Sequence, residues 1–207
     1  MINVLIVEDS RVSREAFERQ LAALPDFSVV AAIENAANAE IVCLSREIDL
    51  ILMDICTADD ESGLRAAEKI KQSHPHIRII IMTSMPEQSF LKKARASGSD
   101  SFWYKESGDI SLPEICERTL RGEFVWPDTM PSVKIGAVSS EDFTARELDV
   151  IRALAGGGRY EEIAAELHVS PNTIKYHVKN ILQKTGFRTV TQLVAEVVDK
   201  RLILPKY

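Results

Sequence analysis

The sequence predicts a doubly wound α/β domain on a five-stranded parallel sheet, followed by a smaller all-α domain of four helices. Three observations predict it. Short apolar runs rich in β-branched residues alternate with amphipathic segments up to residue 122, the segment 123–142 follows neither period, and the remainder carries helical spacing with cap residues. The 207 residues suit one or two domains, and 45% hydrophobic with 27% charged residues exclude disordered and fibrous classes. No apolar run approaches the roughly 20 residues of a membrane helix, so no membrane span is expected. The amino terminus lacks the basic start and small-residue cleavage site of a signal peptide, which makes a cytoplasmic location the expectation. Cys43, Cys56 and Cys116 are too scattered for a zinc site and read as reduced packing residues.

Strands are expected at 3–7, 27–33, 50–53, 78–83 and 101–104, and helices at 11–24, 36–46, 64–73, 88–96 and 113–120. In the first helix Val12, Ala16, Phe17, Leu21 and Leu24 recur at helical spacing, while Arg14, Glu15, Glu18 and Arg19 occupy the other face. Near-continuous apolar strands imply a parallel sheet covered on both sides. Such sheets bind ligands outside the carboxyl ends of their strands, where strand order reverses. The residues at those ends are Glu8 and Asp9 after the first strand, Asp54 after the third, Thr83 and Ser84 after the fourth, and Lys105 after the fifth. Crowded carboxylates repel unless a cation neutralises them, and a hard divalent ion such as Mg²⁺ suits an all-oxygen set. Lys105 is then available to balance an incoming anion.

This pattern resembles a response-regulator receiver domain over residues 1–122, which implies a flavodoxin-like fold. The resemblance implies that Asp54 is the phosphoacceptor, and that Glu8, Asp9, Asp54 and the backbone carbonyl of Cys56 hold Mg²⁺. It makes Thr83 the hydroxyl that bonds the phosphoryl group, Lys105 its charge partner and Phe102 an aromatic switch. A phosphohistidine donor on a histidine kinase follows as the partner. A dehalogenase-type phosphatase is excluded, because it needs a second Asp where Cys56 stands. One departure concerns the loop after Asp54, Ile-Cys-Thr-Ala-Asp-Asp-Glu-Ser-Gly: it lacks the usual proline, Gly63 comes one residue late, and Asp59, Asp60 and Glu61 add negative charge. This loop is either a solvated acidic segment or one that alters phosphoryl retention or kinase docking.

Residues 123–142 contain Trp126-Pro127, Met130-Pro131, Gly136 and Ser139-Ser140 and read as a linker. Charge changes there too: residues 1–140 carry 15 basic and 22 acidic side chains, residues 141–207 carry 10 and 9. Thr144 with Glu147 has capping-box spacing, a glycine run at 156–158 stops that helix, and a short helix spans 160–167. Ser170 caps a third helix with Pro171 at its first position, and a fourth helix covers 190–201. Between 170 and 188 lie Lys175, Lys179, Lys184 and Arg188 with no acid, the one basic surface of an acidic chain. Two helices joined by a tight turn, the second basic, make a helix-turn-helix.

The segments Phe-Thr-Ala-Arg-Glu-Leu-Asp-Val-Ile at 143–151, Glu-Ile-Ala-Ala-Glu-Leu at 162–167 and Val-Ser-Pro-Asn-Thr-Ile-Lys-Tyr-His-Val-Lys-Asn-Ile at 169–181 resemble the NarL/LuxR class over about 45 residues. The resemblance implies a DNA-binding domain at 143–207, with Lys175, Tyr176 and Lys179 toward base edges and Ser170 and Thr173 toward phosphates. Where relatives place Asn and Lys before Glu-Ile-Ala, this chain has Tyr160 and Glu161. The last helix carries Val190, Leu193, Val194, Val197 and Val198, more than one core stripe needs, which suggests a homodimer. The chain as a whole reads as a transcriptional response regulator rather than an enzyme, with double-stranded promoter DNA as ligand and RNA polymerase as a candidate partner. The alternative is a regulator that binds DNA independently of phosphorylation, its receiver serving as a protein-interaction module.

Overall fold

Strands that are apolar at nearly every position need helices on both faces, and this requirement organises the first part of the chain. The computed structural model describes residues 1–60, 62–85, 88–105, 110–128, 131–200 and 202–203. They form two compact units, Met1–Ser84 with Gln88–Thr129, and Met85–Glu87 with Met130–Tyr207.

In the first unit β1 (Ile2–Val7), β2 (Phe27–Ile33), β3 (Leu50–Asp54), β4 (Arg78–Thr83) and β5 (Ser101–Tyr104) form a parallel sheet in the order β2-β1-β3-β4-β5. The helices are α1 (Arg11–Ala22), α2 (Ala39–Ser45), α3 (Gly63–Ser73), α4 (Gln88–Ala96) and α5 (Leu112–Leu120). The pleat sends Val4, Ile6, Leu50, Leu52, Ile80 and Met82 to one face, where Phe17 and Leu21 of α1 and Ile115 and Cys116 of α5 cover them. Helix α3 covers the other face, with α2 and α4 beside it. Every residue of β3 is buried, as a central parallel strand demands. The helix expected at 36–46 divides into a 3-10 turn, Ala36–Asn38, and α2, because Asn35 caps the turn by accepting the Ala37 N–H.

The second unit holds α6 (Ala145–Ala155), α7 (Tyr160–Glu166), α8 (Pro171–Thr185) and α9 (Val190–Asp199). Its core gathers Val150, Ile151, Ile163, Ile174, Val178, Ile181, Leu193 and Val197. Thr144 and Glu147 form the expected capping box on α6, and Ser170 caps α8 by accepting the Thr173 N–H. On α9, Leu193 and Val197 are buried while Val190, Val194 and Val198 pack on the core and keep part of their surface.

The structure departs from the sequence reading between 123 and 142. The described residues up to 128 belong to the first unit and those from 131 to the second. Residues 134–139 make a hairpin, β6 (Lys134–Ile135) with β7 (Val138–Ser139), and Ile135 is fully buried in the helical core. Two-residue strands are too short to show a period. Their turn depends on Gly136, at a φ of 58°, where a Cβ would lie 2.2 Å from the Thr185 carbonyl oxygen. Arg201, expected to end the last helix, and Glu61 of the acidic loop lie outside the described residues.

The turn between α7 and α8 is set by His168 at a φ of 53°. Its N–H donates to Ala165 O, and Val169 N–H donates to Ala164 O, a helix-ending arrangement that usually employs glycine. His168→Gly removes the Cβ strain and is expected to raise the stability of this unit by about 0.5–1 kcal/mol, read as a higher midpoint in urea.

Candidate functional site

Strand order reverses at β1, which has β2 on one side and β3 on the other, so the loops after β1 and β3 diverge and leave a crevice. Into it the chain delivers Glu8 and Asp9 directly after β1 and Asp54 at the last position of β3. One carboxylate oxygen from each lies within 4.8 Å of the others. Glu8 is 1% and Asp54 7% exposed, whereas Asp9 faces solvent. Lys105, following β5, sends its Nζ to 2.5 Å from Glu8 Oε2 and 3.1 Å from Asp54 Oδ1. The Ile55 N–H also donates to Asp54 Oδ1, at 2.9 Å. Thr83 ends β4, is buried, and accepts the Lys105 N–H on its carbonyl at 2.9 Å, which fixes the base of the lysine. The fold thus brings Glu8, Asp9, Asp54, Thr83 and Lys105 to one sheet edge.

Burial is the largest influence on Asp54 and pushes its carboxyl up to about 7; Lys105 pulls it down, and Glu8 and Asp9 push it further up. A buried carboxyl shifted in this way among charged neighbours marks a candidate functional site. With all three acids ionised, three carboxylates against one ammonium leave two negative charges. An all-oxygen set carrying that excess fits a hard divalent cation such as Mg²⁺.

Residues around the cluster hold it in place. Arg14 of α1 donates to the Glu8 carbonyl at 2.5 Å and pairs with Glu34 at 3.1 Å, contacts that sequence spacing did not disclose. The unusual loop after Asp54 is anchored: Thr57 Oγ1 accepts the Ala36 N–H, Ala58 N–H donates to Glu34 O, and Asp59, at a φ of 61°, accepts from Asn35 Nδ2 at 2.8 Å. Cys56 pairs with Ser62 in an isolated antiparallel bridge, and Gly63 N–H returns to Ile55 O. A Cβ at Gly63 would stand 1.8 Å from the Asp54 carbonyl oxygen, so glycine is required where the longer loop rejoins the strand end. Phe102, in the middle of β5, is 1% exposed and stacks beside Trp126.

On the second unit, Lys175, Tyr176 and Lys179 lie exposed along α8, Tyr176 at 63%. Ser170 and Thr173 sit at the amino end of α8 with their hydroxyls 2.9 Å apart. Lys184 is drawn away from this face: its Nζ donates to Glu147 Oε2 at 2.7 Å and to Asp142 O at 3.0 Å. Partial burial opposes ionisation of Glu147, yet hydrogen bonds from Lys184 and Thr144 hold its carboxyl below the ordinary range.

Sheet, acidic crevice and exposed basic helix together define a two-domain response regulator. Residues 4–117 match the response regulator receiver domain, and residues 141–197 match the luxR family of bacterial regulatory proteins. The chain belongs to the response-regulator family, as a member with a luxR-type DNA-binding domain. Response regulator protein VraR of Staphylococcus aureus (strain NCTC 8325 / PS 47) is 32% identical over 209 residues, which is 98% of this chain and 99% of VraR. Among solved structures, the RcsB response regulator of Salmonella typhimurium has 21% identity and a TM-score of 0.56 over 96% of this chain and 100% of its own. An RcsB–DNA complex has 20% identity and a TM-score of 0.60 over 95% and 98%, and both likenesses show the fold. A LuxR-family response regulator from Aurantimonas sp. SI85-9A1 is 26% identical, with a TM-score of 0.56, over 59% of this chain and 87% of that one. Among the described residues no helix is long and apolar enough to cross a membrane.

Two predictions follow from these geometries. Since the carboxyl of Asp54 is raised to about 7, Mg²⁺ must displace a proton at lower pH, so its affinity rises with pH and levels off above about 8. The same sign means that ionising Asp54 costs the cation-free fold stability as pH rises from about 4 through about 7, and Mg²⁺ restores it. Calorimetric Mg²⁺ titrations in buffers of different ionisation enthalpy, with melting curves beside them, read both effects. Lys184→Ala is expected to lower stability by about 1–2 kcal/mol through loss of its partly buried partner while leaving the salt dependence of DNA binding unchanged. A slope reduced by about one would instead make Lys184 a phosphate contact.

Proposed function

We propose that Asp54 accepts a phosphoryl group from a phosphohistidine of a partner histidine kinase, and that this biases binding of promoter DNA by the helical unit. The observation that carries the reading is the buried Asp54 carboxylate with Lys105 at 3.1 Å and Glu8 and Asp9 beside it at the sheet's carboxyl edge. An Asp54 oxygen attacks phosphorus as the nitrogen–phosphorus bond breaks and histidine leaves with the bonding pair. Lys105 neutralises charge on the phosphoryl oxygens, and the Thr83 hydroxyl bonds one of them. Glu8, Asp9, Asp54 and the Cys56 carbonyl would hold Mg²⁺, which supplies charge neutralisation to the transferred group.

In the helical unit, Lys175, Tyr176 and Lys179 enter the major groove and read base edges, while Ser170 and Thr173 approach the backbone at the amino end of α8. The half-exposed margin of α9, with Val190, Val194 and Val198, is our choice for a two-fold contact, so that two recognition helices meet an inverted repeat. The RcsB structures bound to DNA, one described as two dimers on two parallel DNAs, support a dimer on DNA. Promoter binding puts the protein in the cytoplasm, with RNA polymerase as its further partner. We assign the receiver function to residues 1–122 and the DNA-binding function to residues 143–207, with 123–142 as the linker between them.

Asp54→Asn is expected to abolish labelling by acetyl phosphate and the rise in DNA affinity that beryllofluoride with Mg²⁺ gives the unsubstituted protein. Lys179→Ala should cost about 1–3 kcal/mol and relax sequence preference at one base pair. Full labelling of the Asp54→Asn protein would refute the phosphoacceptor assignment. An unchanged DNA affinity on filling the site would favour the alternative, a receiver that acts as a protein-interaction module.

A further inference from the structure

The segment that follows α5 lies along the edge strand of the sheet. Val125 O accepts the Phe102 N–H at 2.9 Å, and the Val125 N–H donates to Ser101 Oγ at 3.1 Å. Ser101 Oγ is itself 2.7 Å from Thr119 Oγ1 of α5, so the edge of β5, its neighbouring helix and this strap are tied together. Val125 also packs on the apolar cluster beneath α1 and α5. Trp126 then lays its indole beside the Phe102 ring, centroids 6.2 Å apart and planes inclined by 29°. Arg95 of α4 sets its guanidinium carbon 4.4 Å from the indole centroid. Phe102 meets Tyr104 edge-on at 5.0 Å and has almost no surface of its own.

We propose that Trp126 is a positioning residue for the response to phosphorylation, fixing the Phe102 ring in its buried rotamer and carrying any change there into the chain toward Met130. The proposal rests on the phosphoacceptor reading above. Phe102 stands three residues before Lys105, whose backbone is bonded to Thr83, so rearrangement at the phosphoryl pocket reaches β5 through one strand end. In a closely packed interior the Phe102 ring cannot change rotamer without displacing the indole that stacks on it. Arg95 brings α4 into the same contact, so shifts of that helix and of the ring converge on one side chain. Trp126 is only four residues before Met130, where the longer segment of the second unit begins. A tryptophan that merely shields an edge strand would affect folding alone. One that transmits the switch must also respond when the site fills.

The test uses the full chain labelled with 5-fluorotryptophan, which gives fluorine resonances from its two tryptophans, Trp103 and Trp126, assigned with a Trp126→Phe protein. On titration with beryllofluoride and Mg²⁺, the Trp126 resonance is expected to move in step with the signal of bound fluoride. Trp126→Ala and Arg95→Gln should keep acetyl phosphate labelling of Asp54 yet lose at least about fivefold of the phosphorylation-dependent change in DNA affinity. Should Trp126→Ala fail to fold, the exposed-side Arg95→Gln and the fluorine spectrum decide. A fully occupied site with a stationary Trp126 resonance, or undiminished coupling in the variants, overturns the proposal and leaves the phosphoacceptor reading intact. Absence of bound fluoride overturns that reading, and this proposal with it.

Discussion

A carboxylate buried at the end of a central β-strand is the constraint on which the first unit depends. Asp54 cannot be hydrated there, and isolated it would be driven toward the neutral acid. Lys105 offsets part of that cost directly, and Glu8 binds the same ammonium. The parallel sheet makes this affordable, since strands running the same way deliver all their carboxyl ends to one edge. Gly63 has no side chain because the loop must pass against the Asp54 carbonyl, and Arg14 holds the turn that presents Glu8 and Asp9. Three carboxylates facing one ammonium leave the crevice with an excess of negative charge that a hard divalent cation fits.

The loop after Asp54 shows how a departure in length is accommodated without disturbing the strand end. Its additional residue is taken up by Asp59 in the left-handed region, and its polar groups are satisfied by residues 34–36 after β2. The acidic side chain of Asp59 thereby has a local structural partner. Its side chain remains exposed.

The helical unit is governed by a division of labour among its cations. Lys175 and Lys179 stay exposed on α8, whereas Lys184 on the same helix turns inward to the capping box of α6. That bond joins the end of α8 to the start of α6, while Arg146 of α6 ties the end of α7 by donating to Leu167 O at 2.7 Å. Helix α8 is therefore tied through Lys184 to the start of α6, while Lys175 and Lys179 stay exposed on it.

Among the described residues, periodicity and end residues alone determined the five strands of the parallel sheet and helices α1 to α9 to within a few positions, along with the residues at the strand ends and the caps of α6 and α8. Those features are local: the pleat, the helical turn and the cap each act over four residues or fewer. The convergence of Glu8, Asp54 and Lys105 was legible because parallel topology places strand ends together, even though Lys105 and Glu8 are 97 positions apart. Tertiary structure decided the rest. The hairpin at 134–139 is two residues wide and stable only against the core that buries Ile135, and the strap at 125–126 exists only because β5 has an open edge. Whether Lys184 meets DNA or Glu147, 37 positions away, depends on how α6 and α8 pack. In each case a contact between segments distant in sequence decided the outcome.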